Sequence, residues 1–267
     1  MTLTETAPPL YIGVSTKMYL GYRDSLHWLE QVRAELDARP ALAAGRVVPF
    51  VIPSFPVLPA AAEILAGSPA LLGAQNCSPA PGPWTGEVSA AMLAELGVGI
   101  VEIGHAERRR HFAEDDGAVA AKVAQVLSAG ITPLLCVGEE RRGSPEEAAG
   151  FVAGQLDTVF SGAWGNAGTS VVAYEPVWAI GAAEPADAAY VSAVVRGVRL
   201  RLEPQGAGQL PVIYGGSAKP GLLPQLDGVS GLFLGRFAHD AANFGRVLDE
   251  ALDSPGTDAL PVQCISR

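Results

Sequence analysis

The sequence predicts an α/β fold, a single (β/α)8 barrel, on three observations. Short runs rich in β-branched residues alternate with Ala/Leu-rich stretches of helical period along the whole chain. Eight such pairs follow one another in a chain of 267 residues, which matches one barrel domain and suits a doubly wound sheet less well. Polar and glycine residues collect where the runs end, as expected when one rim of a barrel carries the chemistry.

The strands are expected at 11–15, 47–52, 71–74, 99–103, 131–137, 170–175, 212–214 and 231–234, each a short apolar run such as Val47-Val48-Pro49-Phe50-Val51-Ile52. Helices are expected after them at 25–38, 57–66, 90–96, 116–129, 145–160, 187–202, 221–226 and 240–253. Start signals support several of these: Ser144-Pro145-Glu146-Glu147 carries a cap residue with a glutamate three positions on, and Asp187 follows Pro185-Ala186. The barrel is expected to fill residues 1–253, with 254–267 an irregular extension opened by Pro255-Gly256.

At the strand ends stand Ser15 and Lys17 (first), Gln75 and Asn76 (third), His105 and Glu107 (fourth), Glu139 (fifth), Glu175 (sixth), Gly215-Gly216-Ser217 (seventh) and Gly235-Arg236 (eighth). Glu175 is the most informative of them. It ends an apolar strand, Pro176 then removes a ladder donor, and Trp178, Ile180 and Gly181 follow with an apolar underside and a small hinge residue. That is the pattern of a carboxylate base followed by a movable lid over 176–183.

A formal charge of -10 argues against nucleic acid and anionic membranes as partners, so an anionic substrate would need a local cation. With 18 basic residues in all and only three lysines, Lys17, Lys122 and Lys219, the lysine at a strand end stands out. No apolar run approaches the roughly 20 residues of a membrane span, and 1–9 lacks a signal-peptide core, so a soluble cytoplasmic protein is expected. Cys77, Cys136 and Cys264 have neither disulfide-framework nor zinc-site spacing, and no metal is expected.

Six segments together resemble the triosephosphate isomerase family along nearly the whole chain: Gly73-Ala74-Gln75-Asn76, Trp84-Thr85-Gly86-Glu87-Val88-Ser89, Ile103-Gly104-His105-Ala106-Glu107-Arg108-Arg109, Cys136-Val137-Gly138-Glu139, the Glu175 segment and Tyr214-Gly215-Gly216-Ser217. The resemblance implies an isomerase without a cofactor that moves a carbonyl along a small phosphorylated sugar. Glu175 would be the base, His105 the electrophile that shuttles a proton between enediol oxygens, Lys17 the cation beside enediolate and phosphate, and Glu107 its positioning partner. Backbone N–H groups of Gly181, Ser217, Gly235 and Arg236 would hold the phosphate near a short helix after the eighth strand. The resemblance also implies a homodimer through the Thr85 loop.

Three positions depart from the family pattern. Ser15-Thr16-Lys17-Met18 stands where Asn-Trp-Lys-Met is usual, Ala106 replaces a serine, and Arg236 replaces a glycine. Loss of the asparagine removes a donor near the reacting oxygens and opens volume at Ser15. An offshoot of the family interconverts L-erythrulose 1-phosphate and D-erythrulose 4-phosphate, whose reacting carbon bears an extra hydroxymethyl group, and Ser15 fits that reading. The alternatives are an ordinary triosephosphate isomerase and an idle sugar-phosphate sensor.

Overall fold

In the computed structural model, which describes residues 8–161, 164–182 and 184–254, eight parallel strands close on themselves in chain order. They are β1 (Leu10–Ser15), β2 (Val47–Ile52), β3 (Leu71–Ala74), β4 (Ile100–Ile103), β5 (Thr132–Val137), β6 (Val171–Tyr174), β7 (Val212–Gly215) and β8 (Gly231–Leu234). The ring is sealed where Tyr11 to Val14 of β1 pair with Gly231 to Leu234 of β8.

Strand alternation divides the apolar residues into two sets. Phe50, Ile52, Ile100, Leu134, Cys136, Val171, Ala173, Ile213 and Phe233 fill the barrel interior. Val14, Val51, Val101, Ile103, Leu135, Val172 and Leu232 face outward and pack against the helices. These strands are buried on both faces, which explains their nearly continuous apolar runs.

The helices are α1 (Tyr22–Asp37), α2 (Leu58–Ile64), α3 (Ala90–Glu95), α4 (Ala106–Phe112), α5 (Asp116–Ser128), α6 (Pro145–Phe160), α7 (Ala188–Leu202) and α8 (Ala241–Leu252). Ser144 and Glu147 form the expected capping box on α6, and Asp187 caps α7 by accepting from Tyr190 N at 3.0 Å. One expected helix is absent. Residues 221–226 form only a 3-10 turn, Leu223–Gln225, because Gly221 is left-handed at φ 87° and Pro224 disfavours the α conformation at Leu223 while offering no N–H. The extension expected at 254–267, with Cys264, lies outside the described residues apart from Ser254, and the lid residue Ala183 lies outside them too.

Candidate active site

The C-terminal ends of the strands surround a cleft of about 480 Å³. Ser15, Lys17, His105, Glu107, Glu175, Gly181, Ser217, Gly235 and Arg236 all line it, so the nine residues given a catalytic or binding role converge there, while Gln75, Asn76 and Glu139 stand outside its lining.

Lys17 follows β1 in a left-handed conformation, φ 49°, which costs a non-glycine residue about 1 kcal/mol or more. The Gln75 side-chain amide holds that turn by donating to Lys17 O at 2.8 Å. Lys17 Nζ in turn donates to Glu107 Oε1 at 2.6 Å. Burial pushes the lysine pKa down, but the Glu107 contact and the charges of Glu175 and Glu102 outweigh it, and the pKa is raised. Burial likewise opposes ionisation of Glu107, and contact with Lys17 and His105 overcomes it, so its carboxyl lies below its ordinary value. The site therefore contains a fixed ammonium inside an acidic protein.

His105 caps α4. Its Nδ1 accepts from the backbone N–H of Glu107 at 3.1 Å, which leaves the proton of the neutral ring on Nε2. Burial, and then the Lys17 charge, hold its pKa well below the ordinary histidine value. A neutral Nε2–H donor thus points into the cleft.

Glu175 stands one residue beyond β6, and its N–H donates to Val137 O at 2.8 Å. Its side chain occupies the space beside Gly215, where a Cβ would come within 2.6 Å of Cγ and Oε1. Only glycine leaves room for this carboxylate. Glu175 Oε2 lies 3.5 Å from His105 Nε2 and has no hydrogen-bond partner. Burial, reinforced by the nearby Glu102 charge, pushes its pKa up to about 8. A desolvated carboxylate opposite a neutral imidazole can take a proton from carbon while the imidazole donates to the adjacent oxygen.

The segment after Glu175 is anchored at both ends. Glu139 O accepts from Val177 N at 3.0 Å, and the Glu139 carboxylate accepts from Trp178 Nε1 at 2.8 Å and from the hydroxyls of Tyr174 and Tyr190 at 3.2 Å. Gly181 turns the chain at φ 74°. Beyond it, Ser217 Oγ donates to Ala182 O at 2.6 Å, Ala186 N donates to Tyr214 OH at 3.0 Å, and Lys219 pairs with Glu184 at 2.7 Å. The segment beyond Gly181 is held by Tyr214 of β7 and by Ser217 and Lys219 after that strand.

One residue of this site escaped the sequence reading. Glu102 lies within β4, paired in register with Leu134. Its neighbours Val101 and Ile103 face the helices, so its side chain points into the barrel beneath Ser15 and Lys17, where it is 4% exposed. Burial pushes its pKa up to about 7; the Ser15 hydroxyl and the Lys17 charge offset part of that rise. The hydroxyl is near without completing a bond to that oxygen: neither Ser15 Oγ nor Glu102 Oε2 has a completed hydrogen bond. The signal available in the sequence was a single acid inside a four-residue strand of a barrel whose strands are buried on both faces.

Among the described residues, no group of three or more His, Cys, Asp or Glu side chains is placed to hold a metal ion, and no helix is long and apolar enough to cross a membrane.

Residues 10–251 match the family model described as triosephosphate isomerase. The chain belongs to the triosephosphate isomerase family. The L-erythrulose-1-phosphate isomerase of Pectobacterium atrosepticum is 47% identical over 247 residues, covering 91% of this chain and 95% of that protein. The triosephosphate isomerase of Synechococcus sp. (strain JA-2-3B'a(2-13)) is 34% identical over 246 residues, covering 90% and 96%. The crystal structure of triosephosphate isomerase from Bartonella henselae superposes with a TM-score of 0.75 at 31% identity, covering 90% of this chain and 98% of that one. The protein is an isomerase of this family.

The three departures from the family pattern fall at distinct places. Ser15 is buried in the cleft wall at the reacting end. Ala106 opens α4 directly after His105. Arg236 opens the short 3-10 turn Arg236–His239 after β8 and lays its guanidinium 5.9 Å from the centre of the Tyr19 ring, across the cleft mouth.

Proposed function

We propose that the protein interconverts L-erythrulose 1-phosphate and D-erythrulose 4-phosphate. Glu175 removes the proton from the carbon between the carbonyl and the terminal hydroxymethyl group, and the C–H electron pair forms the enediolate double bond. His105 Nε2–H protonates the former carbonyl oxygen and then recovers a proton from the neighbouring hydroxyl. Glu175 returns its proton to the former carbonyl carbon, so the carbonyl moves one position and no redox partner is needed. Lys17, positioned by Glu107, stabilises the charge that develops on the oxygens. The phosphate is held by backbone N–H groups around Gly181, Ser217, Gly235 and Arg236.

The observation that carries the four-carbon reading is the reacting end of the cleft. There Ser15 offers a small side chain and an unpartnered hydroxyl beside Glu175 and His105. The 47% identity to an L-erythrulose-1-phosphate isomerase supports it, and the 36% identical protein of that name from Mycolicibacterium smegmatis does so as well. Measured kcat/KM for L-erythrulose 1-phosphate should exceed that for dihydroxyacetone phosphate. A preference for the triose phosphate would make the protein an ordinary triosephosphate isomerase, and substrate binding without solvent deuterium exchange would make it a sensor.

The working form in this reading is a cytoplasmic homodimer in which the Thr85 loop reaches the partner beside Lys17. Residues 81–87 are exposed throughout, and Met18, next to Lys17, is 91% exposed. Light scattering should give a mass twice that of the chain; a monomer that retains full activity would overturn the assignment.

A further inference from the structure

We infer that Glu102 and Ser15 form a subsite for the terminal hydroxymethyl group of the four-carbon substrate and set the preference for it. This rests on the four-carbon reading above. The mechanism makes no use of Glu102, yet this acid points into a barrel interior otherwise built from apolar residues such as Ile52, Ile100, Cys136, Ala173 and Phe233. Desolvating a carboxyl there is costly unless something bonds to it. Within the protein the Ser15 hydroxyl lies near it, and Glu102 Oε2 and Ser15 Oγ are both buried without a completed hydrogen bond. Two adjacent groups of complementary chemistry suit one ligand hydroxyl, which can bond the Ser15 oxygen while the serine hydroxyl turns to donate to the carboxylate behind it.

Position selects which hydroxyl. Glu102 lies near the C-terminal end of β4, three residues before His105, and its charge acts on Lys17 and Glu175, which places it at the reacting end. Ser15 lines the cleft while Glu102 lies behind it, so the partition between ligand and carboxyl is one hydroxymethyl side chain thick. The group that projects from the reacting carbon toward that wall is CH2OH in the four-carbon substrate and hydrogen in dihydroxyacetone phosphate. The triose therefore leaves both orphaned groups unmatched. A site built to bond a hydroxyl rejects the analogue that lacks it far more strongly than an apolar pocket does.

The test is the ratio of kcat/KM for L-erythrulose 1-phosphate to that for dihydroxyacetone phosphate in wild type, Glu102→Leu, Glu102→Gln and Ser15→Ala. Taking the ratio within one variant cancels effects on the shared base, on Lys17 and on folding. Leucine places an apolar group in an apolar layer, and glutamine keeps the shape and an acceptor, so at least one variant should fold. The expected result is a ratio that falls by about 10²-fold in Glu102→Leu and by less in Glu102→Gln and Ser15→Ala. A wild type that prefers the four-carbon substrate, with variants that keep its ratio, would overturn the subsite and leave the function standing. A wild type that prefers the triose phosphate would remove the four-carbon reading and the subsite with it.

Discussion

His105 Nε2 and Glu175 Oε2 face each other across 3.5 Å, and the carboxylate oxygen completes no hydrogen bond. The separation is too long for a good hydrogen bond, so neither group is spent on the other. Both stay available to adjacent atoms of a substrate. Glu175 is also buried, flanked by Gly215 and joined through its backbone to β5, so its orientation is set before any ligand arrives.

Replacing that carboxylate by its uncharged isostere should stop the proton transfer without disturbing the cleft. Glu175→Gln is expected to lower kcat by about 10²- to 10⁴-fold. Substrate should still bind, and isothermal calorimetry with L-erythrulose 1-phosphate can establish that. Comparable loss of binding would mean that Glu175 acts mainly as a structural residue.

A second prediction concerns pH. The base works only when ionised, and burial together with the Glu102 charge raises its pKa to about 8. In the free enzyme kcat/KM should therefore fall as pH drops through that value. Removing the like charge in Glu102→Gln favours the ionised base, so the acid limb should move to lower pH. A limb at the same pH in both proteins would separate Glu102 from Glu175 electrically.

The same two carboxyls tie folding to pH. Both pKa values rise from 4.5 in the unfolded reference, to about 7 for Glu102 and about 8 for Glu175. Between the unfolded and folded values the native state holds more protons, so stability declines as pH increases through that window and the full cost is present above it. Glu102→Leu should recover on the order of a few kcal/mol at alkaline pH and much less at acid pH. Urea unfolding at about pH 5 and about pH 9 checks the sign, since a gain that is equal at both would reflect packing alone.

The barrel was legible because strands buried on both faces must be apolar throughout, and Val171–Tyr174 or Gly231–Leu234 have few other readings. His105, Glu175 and Lys17 were legible because each stands at a strand end inside a dense local pattern. Glu102 was not, for a specific reason. A single acid in a short strand reads as an outward-facing position, and the parity that sends it inward is fixed by which neighbours, Val101 and Ile103, meet the helices. Its unpartnered state is a relation to Ser15, 87 positions away in the chain, and no local window contains both. The misread helix at 221–226 shows the opposite failure, where leucine density outweighed Pro224 and the left-handed Gly221.

The ion pair between Lys17 and Glu107 predicts unequal losses. Lys17→Met removes the cation that faces the developing charge and should lower kcat/KM by about 10²- to 10³-fold. Glu107→Gln keeps the cation but loosens it, and a hydrogen bond to a charged group of this kind accounts for about 10- to 100-fold. If Glu107→Gln costs as much as Lys17→Met, the glutamate takes part directly and is more than a positioning residue.

The last prediction concerns what the lid protects. An enediolate with a phosphate on the next carbon can expel that phosphate, and a closed, dry cleft suppresses the loss by holding the phosphate in place. The position of the lid here depends on contacts beyond Gly181: Ala186 N donating to Tyr214 OH at 3.0 Å and Ser217 Oγ donating to Ala182 O at 2.6 Å. Tyr214→Phe deletes the first of these while leaving the buried ring in place. One neutral hydrogen bond contributes about 1 kcal/mol, so the open state should become about fivefold more populated. The reading is inorganic phosphate released per turnover, which should rise in Tyr214→Phe and rise further when Ser217→Ala is added. Unchanged phosphate release in the double variant, with isomerisation intact, would mean that these contacts do not hold the lid during the lifetime of the intermediate.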